Sequence, residues 1–124
     1  MIAVDTSTLS ALLAGEQGKD VDSLADSLAR SDVRLPPVVL TEILSDPATA
    51  KVLAPRLLDL ELLEVTEGYW QRAGEARAKL QARGLKAKVA DALIAQSCID
   101  HDIALLTRDQ DFRHFAKHCG LSLA

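Results

Sequence analysis

Met1-Ile2-Ala3-Val4-Asp5-Thr6-Ser7 opens the chain with a short apolar run, one carboxylate and two hydroxyls. An apolar run with no polar alternation is the pattern of a strand buried on both faces, as in parallel sheets. Asp5 then stands at the carboxyl end of that strand. In open α/β sheets that edge is where ligands bind. A buried acid is costly unless a cation or hydrogen bonds offset it. The rest of the chain is therefore read for other carboxylates that can join Asp5.

Working outward, residues 8–14 carry Leu9, Leu12 and Leu13 at helical spacing, with Ser7 or Thr8 as the expected cap. A second helix is expected from Asp20 or Asp22 to about Arg30, and a short strand at Val33-Arg34-Leu35. Pro37 begins a third helix containing Glu42, because proline is tolerated at a helix start. Asp46-Pro47 ends it and opens a fourth, over about 48–58. A strand is expected over 60–65, then a long helix over about 67–83 with Gly84 as its left-handed cap. The next helix, about 87–100, carries Asp91. Its neighbours Ile94, Ala95 and Cys98 form one apolar face, and Val89 with Leu93 forms another, so the helix is expected to be buried. Residues 103–106 read as a buried strand, followed by Thr107-Arg108-Asp109-Gln110-Asp111-Phe112. A short helix reaches His118 and ends at Gly120, and residues 121–123 form a candidate last edge strand. Short strands alternating with helices imply a parallel sheet with right-handed crossovers and helices on both faces.

At 124 residues the chain has the length of one domain, and 48% hydrophobic residues are enough for a core. No apolar run approaches the ~20 residues of a membrane span, and the N-terminus lacks a basic segment before an apolar one. Cys98 and Cys119 form no CxxC motif and read as reduced thiols of a cytoplasmic protein. The net charge of −4 is unevenly distributed. Residues 1–67 hold twelve acids and five bases, and residues 68–124 hold six acids and nine bases. The second half contains the run Arg72, Arg77, Lys79, Arg83, Lys86 and Lys88, which suits a phosphate backbone or a solvated helix face. Aromatic residues at 3% are too few for a base-stacking platform.

Asp5 and Asp109 each follow a buried strand, so a parallel sheet places both on one edge. Asp91 and Glu42 lie on apolar helices. Taken singly, each acid has a plain structural use. Asp5 can cap a helix, Asp91 can complement a helix dipole, Asp109 or Asp111 can cap the last helix, and Glu42 can be a solvated helix residue. Together they concentrate negative charge that hard divalent cations would neutralise. Mg²⁺ and Mn²⁺ take oxygen ligands and few carboxylates, and such a site suits phosphodiester hydrolysis by metal-activated water. No HExxH motif, Cys/His cluster or Walker A loop is present.

Four segments, Val4-Asp5-Thr6-Ser7, Leu40-Thr41-Glu42-Ile43-Leu44, Val89-Ala90-Asp91-Ala92-Leu93-Ile94-Ala95 and Leu105-Leu106-Thr107-Arg108-Asp109-Gln110-Asp111-Phe112, give the chain a family likeness. It resembles PIN-domain nucleases, and among them the VapC-type ribonuclease toxins of toxin–antitoxin modules. The resemblance implies one PIN domain over residues 1–124. Its fold would be a three-layer α/β/α sandwich, with a mainly parallel five-stranded sheet and about seven helices. It implies an endoribonuclease dependent on Mg²⁺ or Mn²⁺. Asp5, Glu42, Asp91 and Asp109 match the acidic quartet, and Asp111 matches a further acid often beside it. Thr6, Ser7 and Thr107 match hydroxyl positions that orient carboxylates or water. Arg108 would lie at the rim and contact RNA phosphate, with Lys86 and Lys88 from the basic run. The implied partners are a VapB-type antitoxin, an RNA substrate such as tRNA or rRNA, and a second copy in a homodimer. Two other readings stand beside it. One is a non-catalytic PIN-like module that binds RNA or antitoxin. The other is an enzyme phosphorylated on Asp5, for which Ser7 stands where a second acid is wanted.

Overall fold

A computed structural model describes residues 1–57 and 59–124. Leu58, the last residue of the fourth helix expected from the sequence, lies outside the described residues. Four strands and seven helices are found among those described. The strands are β1 (Ile2–Val4), β2 (Val33–Leu35), β3 (Glu61–Leu62) and β4 (Ala104–Leu106), in the order β3-β2-β1-β4. All three pairings are parallel, with Ile2 opposite Val33 and Ala104, and Val4 opposite Leu106. β1 and β4 are therefore neighbours in register, and the residues that follow them leave the same edge of the sheet.

The helices are α1 (Thr6–Leu13), α2 (Lys19–Ala29), α3 (Pro37–Leu44), α4 (Pro47–Leu57), α5 (Tyr69–Ala82), α6 (Val89–Asp100) and α7 (Phe112–Cys119). The result is the expected three-layer α/β/α arrangement. Ala3, Val4, Leu24, Leu35, Val39, Leu80, Ala95, Cys98, Leu105 and Phe115 are fully buried at its centre. α6 is the most enclosed helix, with Ala92 and every residue from Ile94 to Cys98 buried. Val89, however, is exposed, so the second apolar face expected for α6 begins only beyond its first residue.

The expected fifth strand is reduced to a single parallel bridge between Leu105 and Leu123. Leu105 exchanges both its backbone groups there, donating to Ser122 and accepting from Ala124. Leu121 instead turns its amide back to the Phe115 carbonyl, closing α7 at the left-handed Gly120. A segment whose first amide serves a helix end has too few groups left to build a ladder. The strand expected over 60–65 is likewise shortened to Glu61–Leu62, although Leu63 is buried and donates to the Leu35 carbonyl. The long helix starts at Tyr69, two residues later than expected, because Gly68 sits in a left-handed conformation.

Candidate functional site

Asp5 ends β1 and begins α1 in one step. Its backbone is extended and its carboxylate accepts from the Thr8 amide, so Asp5 caps α1, one of the uses open to it from the sequence, in place of Ser7 or Thr8. The same carboxylate accepts from the Ser7 hydroxyl at 2.9 Å and from the Thr107 hydroxyl. Thr107 sits directly after β4, so the parallel pairing of β1 with β4 brings it to Asp5 from 102 residues away. Asp5 is 3% exposed. Burial raises its carboxyl above the usual carboxylate range, and the nearby Asp109 adds to the rise. The hydrogen bonds from Thr107, Thr8 and Ser7 oppose it.

The loop between β4 and α7 then turns twice on its own side chains. The Thr107 hydroxyl accepts from the Asp109 amide at 3.0 Å, and the Asp109 carboxylate accepts from the Asp111 amide at 2.9 Å. These turns bring Asp109 and Asp111 to one place, and the first turn of α6 delivers Asp91 to it. One carboxylate oxygen from each of Asp91, Asp109 and Asp111 lies within 4.8 Å of the others. Asp109 and Asp111, alternatives in the sequence, both belong to the group. Burial pushes Asp91 up to about 6, with Asp109, Asp111 and Glu42 adding to the rise and Lys88 opposing it. Three half-buried carboxylates at this spacing are a donor set for a small hard cation, whose oxygen ligands lie ~2.0–2.1 Å away. The residues present fit such an ion.

Glu42 reaches the site from α3, exposed, and accepts from the Thr6 hydroxyl at 2.8 Å. Asp5 and Glu42 thus border the three-carboxylate group without belonging to it. Lys86 is 3.3 Å from Asp111 in an ion pair, and Lys88 is the N-cap residue of α6.

Arg108 does not stand free at the rim. Asp20 takes its guanidinium in a two-point pair at 2.8 and 2.9 Å, and Glu16 and the Gln17 carbonyl add contacts at 3.4 Å. Asp20 also accepts from the buried Thr8 hydroxyl, and Arg108 holds its carboxyl down at about 2. This ion pair ties the α1–α2 turn to the end of β4, and sequence reasoning missed it. The available signal was Asp20 itself, an acid placed two residues after a glycine break. The basic run also divides. Arg72 pairs with Asp100, and Arg77 donates to the Ala87 carbonyl, so both are structural.

Residues 2–118 match the PIN domain, and the chain belongs to the PIN domain family. PIN domains are generally nucleases and typically use a divalent metal. Among solved structures, a chain of VapBC2 from Rickettsia felis, crystallised with a DNA fragment from its promoter, is similar with a TM-score of 0.75. It is 22% identical and the match covers 100% of this chain and 98% of that one. A chain of FitAcB from Neisseria gonorrhoeae matches at 0.73 and 22% identity, over 99% and 96% of the two chains. A chain of DNA-bound VapBC from Salmonella typhimurium matches at 0.70 and 17% identity, over 100% and 98%. At these identities the likeness is one of fold. No curated protein matches the sequence. No described helix is long and apolar enough to cross a membrane.

Proposed function

We propose that the chain is a single-domain, VapC-type endoribonuclease toxin of a type II toxin–antitoxin system. It acts in the cytoplasm on structured RNA such as tRNA or rRNA. The observation that carries this reading is the convergence of Asp91, Asp109 and Asp111 on a PIN fold, with Asp5 behind them and Glu42 beside them. Asp91, Asp109 and Asp111 would hold Mg²⁺ or Mn²⁺. When bound, such an ion supplies charge against the scissile phosphate and makes hydroxide available at neutral pH. The Thr107 and Ser7 hydroxyls keep the Asp5 carboxylate in one orientation, and Thr6 does the same for Glu42. Lys86 and Lys88 flank the acids and would meet RNA phosphates. Arg108, held by Asp20, is a positioning residue on this reading.

The similar solved structures come from toxin–antitoxin complexes, which supports a VapB-type antitoxin as partner; the toxin would act as a homodimer within that assembly. The acidic half of the chain suits a basic antitoxin segment. In the test, wild type and the Asp5→Asn and Asp91→Asn variants are incubated with tRNA and rRNA in Mg²⁺. Wild type should give products with a 5′-phosphate and a 3′-hydroxyl. Each variant should lose at least ~10²-fold in rate while keeping the wild-type fold by circular dichroism. Full activity in both variants would sink the assignment.

A further inference from the structure

Two i, i+4 pairs of basic side chains meet where α5 and α7 pack together. Lys79 lies in the last turn of α5 and Arg83 is its C-cap residue. His114 and His118 lie one turn apart on α7, with Lys117 beside them. The Cys119 thiol contacts the Ala76 carbonyl at 3.9 Å, which brings the end of α7 against the turn of α5 that precedes Lys79. Lys79, Arg83 and Lys117 are exposed, and no salt bridge to any of the five is found among the described residues. His118 feels them all. Desolvation lowers its proton affinity most, and Arg83, Lys117, Lys79 and His114 lower it further.

Lys79 and Arg83 are like charges at i, i+4, an arrangement that destabilises a helix, and His114, Lys117 and His118 face them across the α5–α7 contact. The chain carries 18 acids against 14 lysines and arginines, so acids to interleave are not scarce. Other cations have partners: Arg72 has Asp100, Arg108 has Asp20 and Arg34 has Glu61. A patch left unneutralised in an acidic protein is suited to an external polyanion. The patch also leads to the carboxylate cluster. Only Gly84 and Leu85 separate Arg83 from Lys86, a span of at most ~11 Å, and Lys86 touches Asp111. No Phe, Tyr or Trp belongs to the patch and three of its five side chains carry a fixed positive charge, so it addresses backbone phosphate rather than bases.

We propose that Lys79, Arg83, His114, Lys117 and His118 form a phosphate-binding track that holds a single-stranded stretch of the structured RNA on one side of the cleavage site. The identity of the polymer rests on the ribonuclease reading above; the existence of the track does not. Fluorescence anisotropy of labelled poly(U) in EDTA reads binding without cleavage. Replacing Lys79, Arg83 and Lys117 together by Gln should weaken binding at least ~10-fold at low salt. It should also reduce the slope of log K against log salt by about 2, near 0.7 per lost phosphate contact. The variant should cut a trinucleotide at the wild-type rate but show a raised KM for long RNA. Arg83→Gln alone, expected to reduce the slope by about 0.7, serves if the triple variant fails to fold.

Unchanged affinity and slope in the variants would overturn the track and leave the ribonuclease standing. Patch-dependent RNA binding by a wild type that cuts nothing would keep the track and remove the ribonuclease. Wild type that prefers duplex DNA to poly(U) ~10-fold overturns the RNA assignment.

Discussion

Asp5 holds its charge in a place with almost no water, and three donors from two segments make that tolerable. Thr107 matters most among them, because one hydroxyl both donates to Asp5 and accepts from the Asp109 amide. Thr107→Val keeps the shape and removes both bonds. The loss leaves a buried carboxylate short of a donor, which costs about 1–3 kcal/mol, measurable by urea denaturation at pH 7. On the ribonuclease reading, turnover should fall about 10–100-fold, the usual effect of losing a group that orients a metal-site carboxylate. The acidic limb of the pH–rate profile should move to higher pH, because Thr107 is the main group opposing the rise in the Asp5 carboxyl. Thr107→Ser should recover most of the rate. A Thr107→Val enzyme with an unshifted profile would show that the hydroxyl only supports the fold.

The turn between α1 and α2 is the element on which the end of β4 depends. Gly18 has a positive φ of 154°, and a Cβ there would meet an Asp20 carboxylate oxygen at 2.5 Å and an Arg108 nitrogen at 3.1 Å. Gly15, with φ of 72°, has nothing within 4 Å of the same added atom. Gly18→Ala should therefore destabilise by about 1–3 kcal/mol, against about 1 kcal/mol for Gly15→Ala. In the Arg108→Ala background the Gly18 penalty should shrink, since one of the two atoms it strikes is gone. Additive penalties in the double variant would refute the coupling. This turn also marks where sequence reading stopped. Asp5 and Asp109 were legible as a pair because parallel strands must send their ends to one edge, whatever the strand order. Asp91 was legible from the apolar spacing of α6. Asp20 and Arg108 stand 88 residues apart, and nothing local in either segment announces the other. The division of the basic run has a related cause. Charge along a helix does not reveal which side chains neighbouring elements will take, and among the described residues Arg72 and Arg77 were taken while Lys79 and Arg83 were not. The shortfall at residues 121–123 is local hydrogen-bond competition, since the Leu121 amide closes α7 before a strand can form.

Over the whole molecule, the clustered acids make stability depend on pH in two opposed windows. Asp91 has its folded-state carboxyl raised to about 6 from 3.8, and Asp5 is raised in the same direction. Between 3.8 and about 6 the native state binds more protons at Asp91 than the unfolded chain, so the metal-free protein should lose stability as pH rises from about 4 through about 6. Asp20, held at about 2 by Arg108, works the other way. Its contribution is present above 3.8 and is lost as pH falls toward 2. From these groups the metal-free protein is expected to be most stable near pH 4–5, below the pH at which Asp91 ionises. A divalent ion at Asp91, Asp109 and Asp111 needs the ionised form and competes with the proton. Added Mg²⁺ at 100 times its dissociation constant should contribute about 2.7 kcal/mol at pH 7.5. The accompanying rise in melting temperature should shrink steadily as pH falls through 6 and nearly vanish at pH 5. Asp91→Asn should remove most of the Mg²⁺ shift and flatten the loss of metal-free stability between pH 4 and pH 7. Melting curves at pH 5, 6 and 7.5, with Mg²⁺ or with EDTA, decide the matter. An equal Mg²⁺ shift at all three pH values, or one that survives in Asp91→Asn, would place the ion elsewhere on the protein.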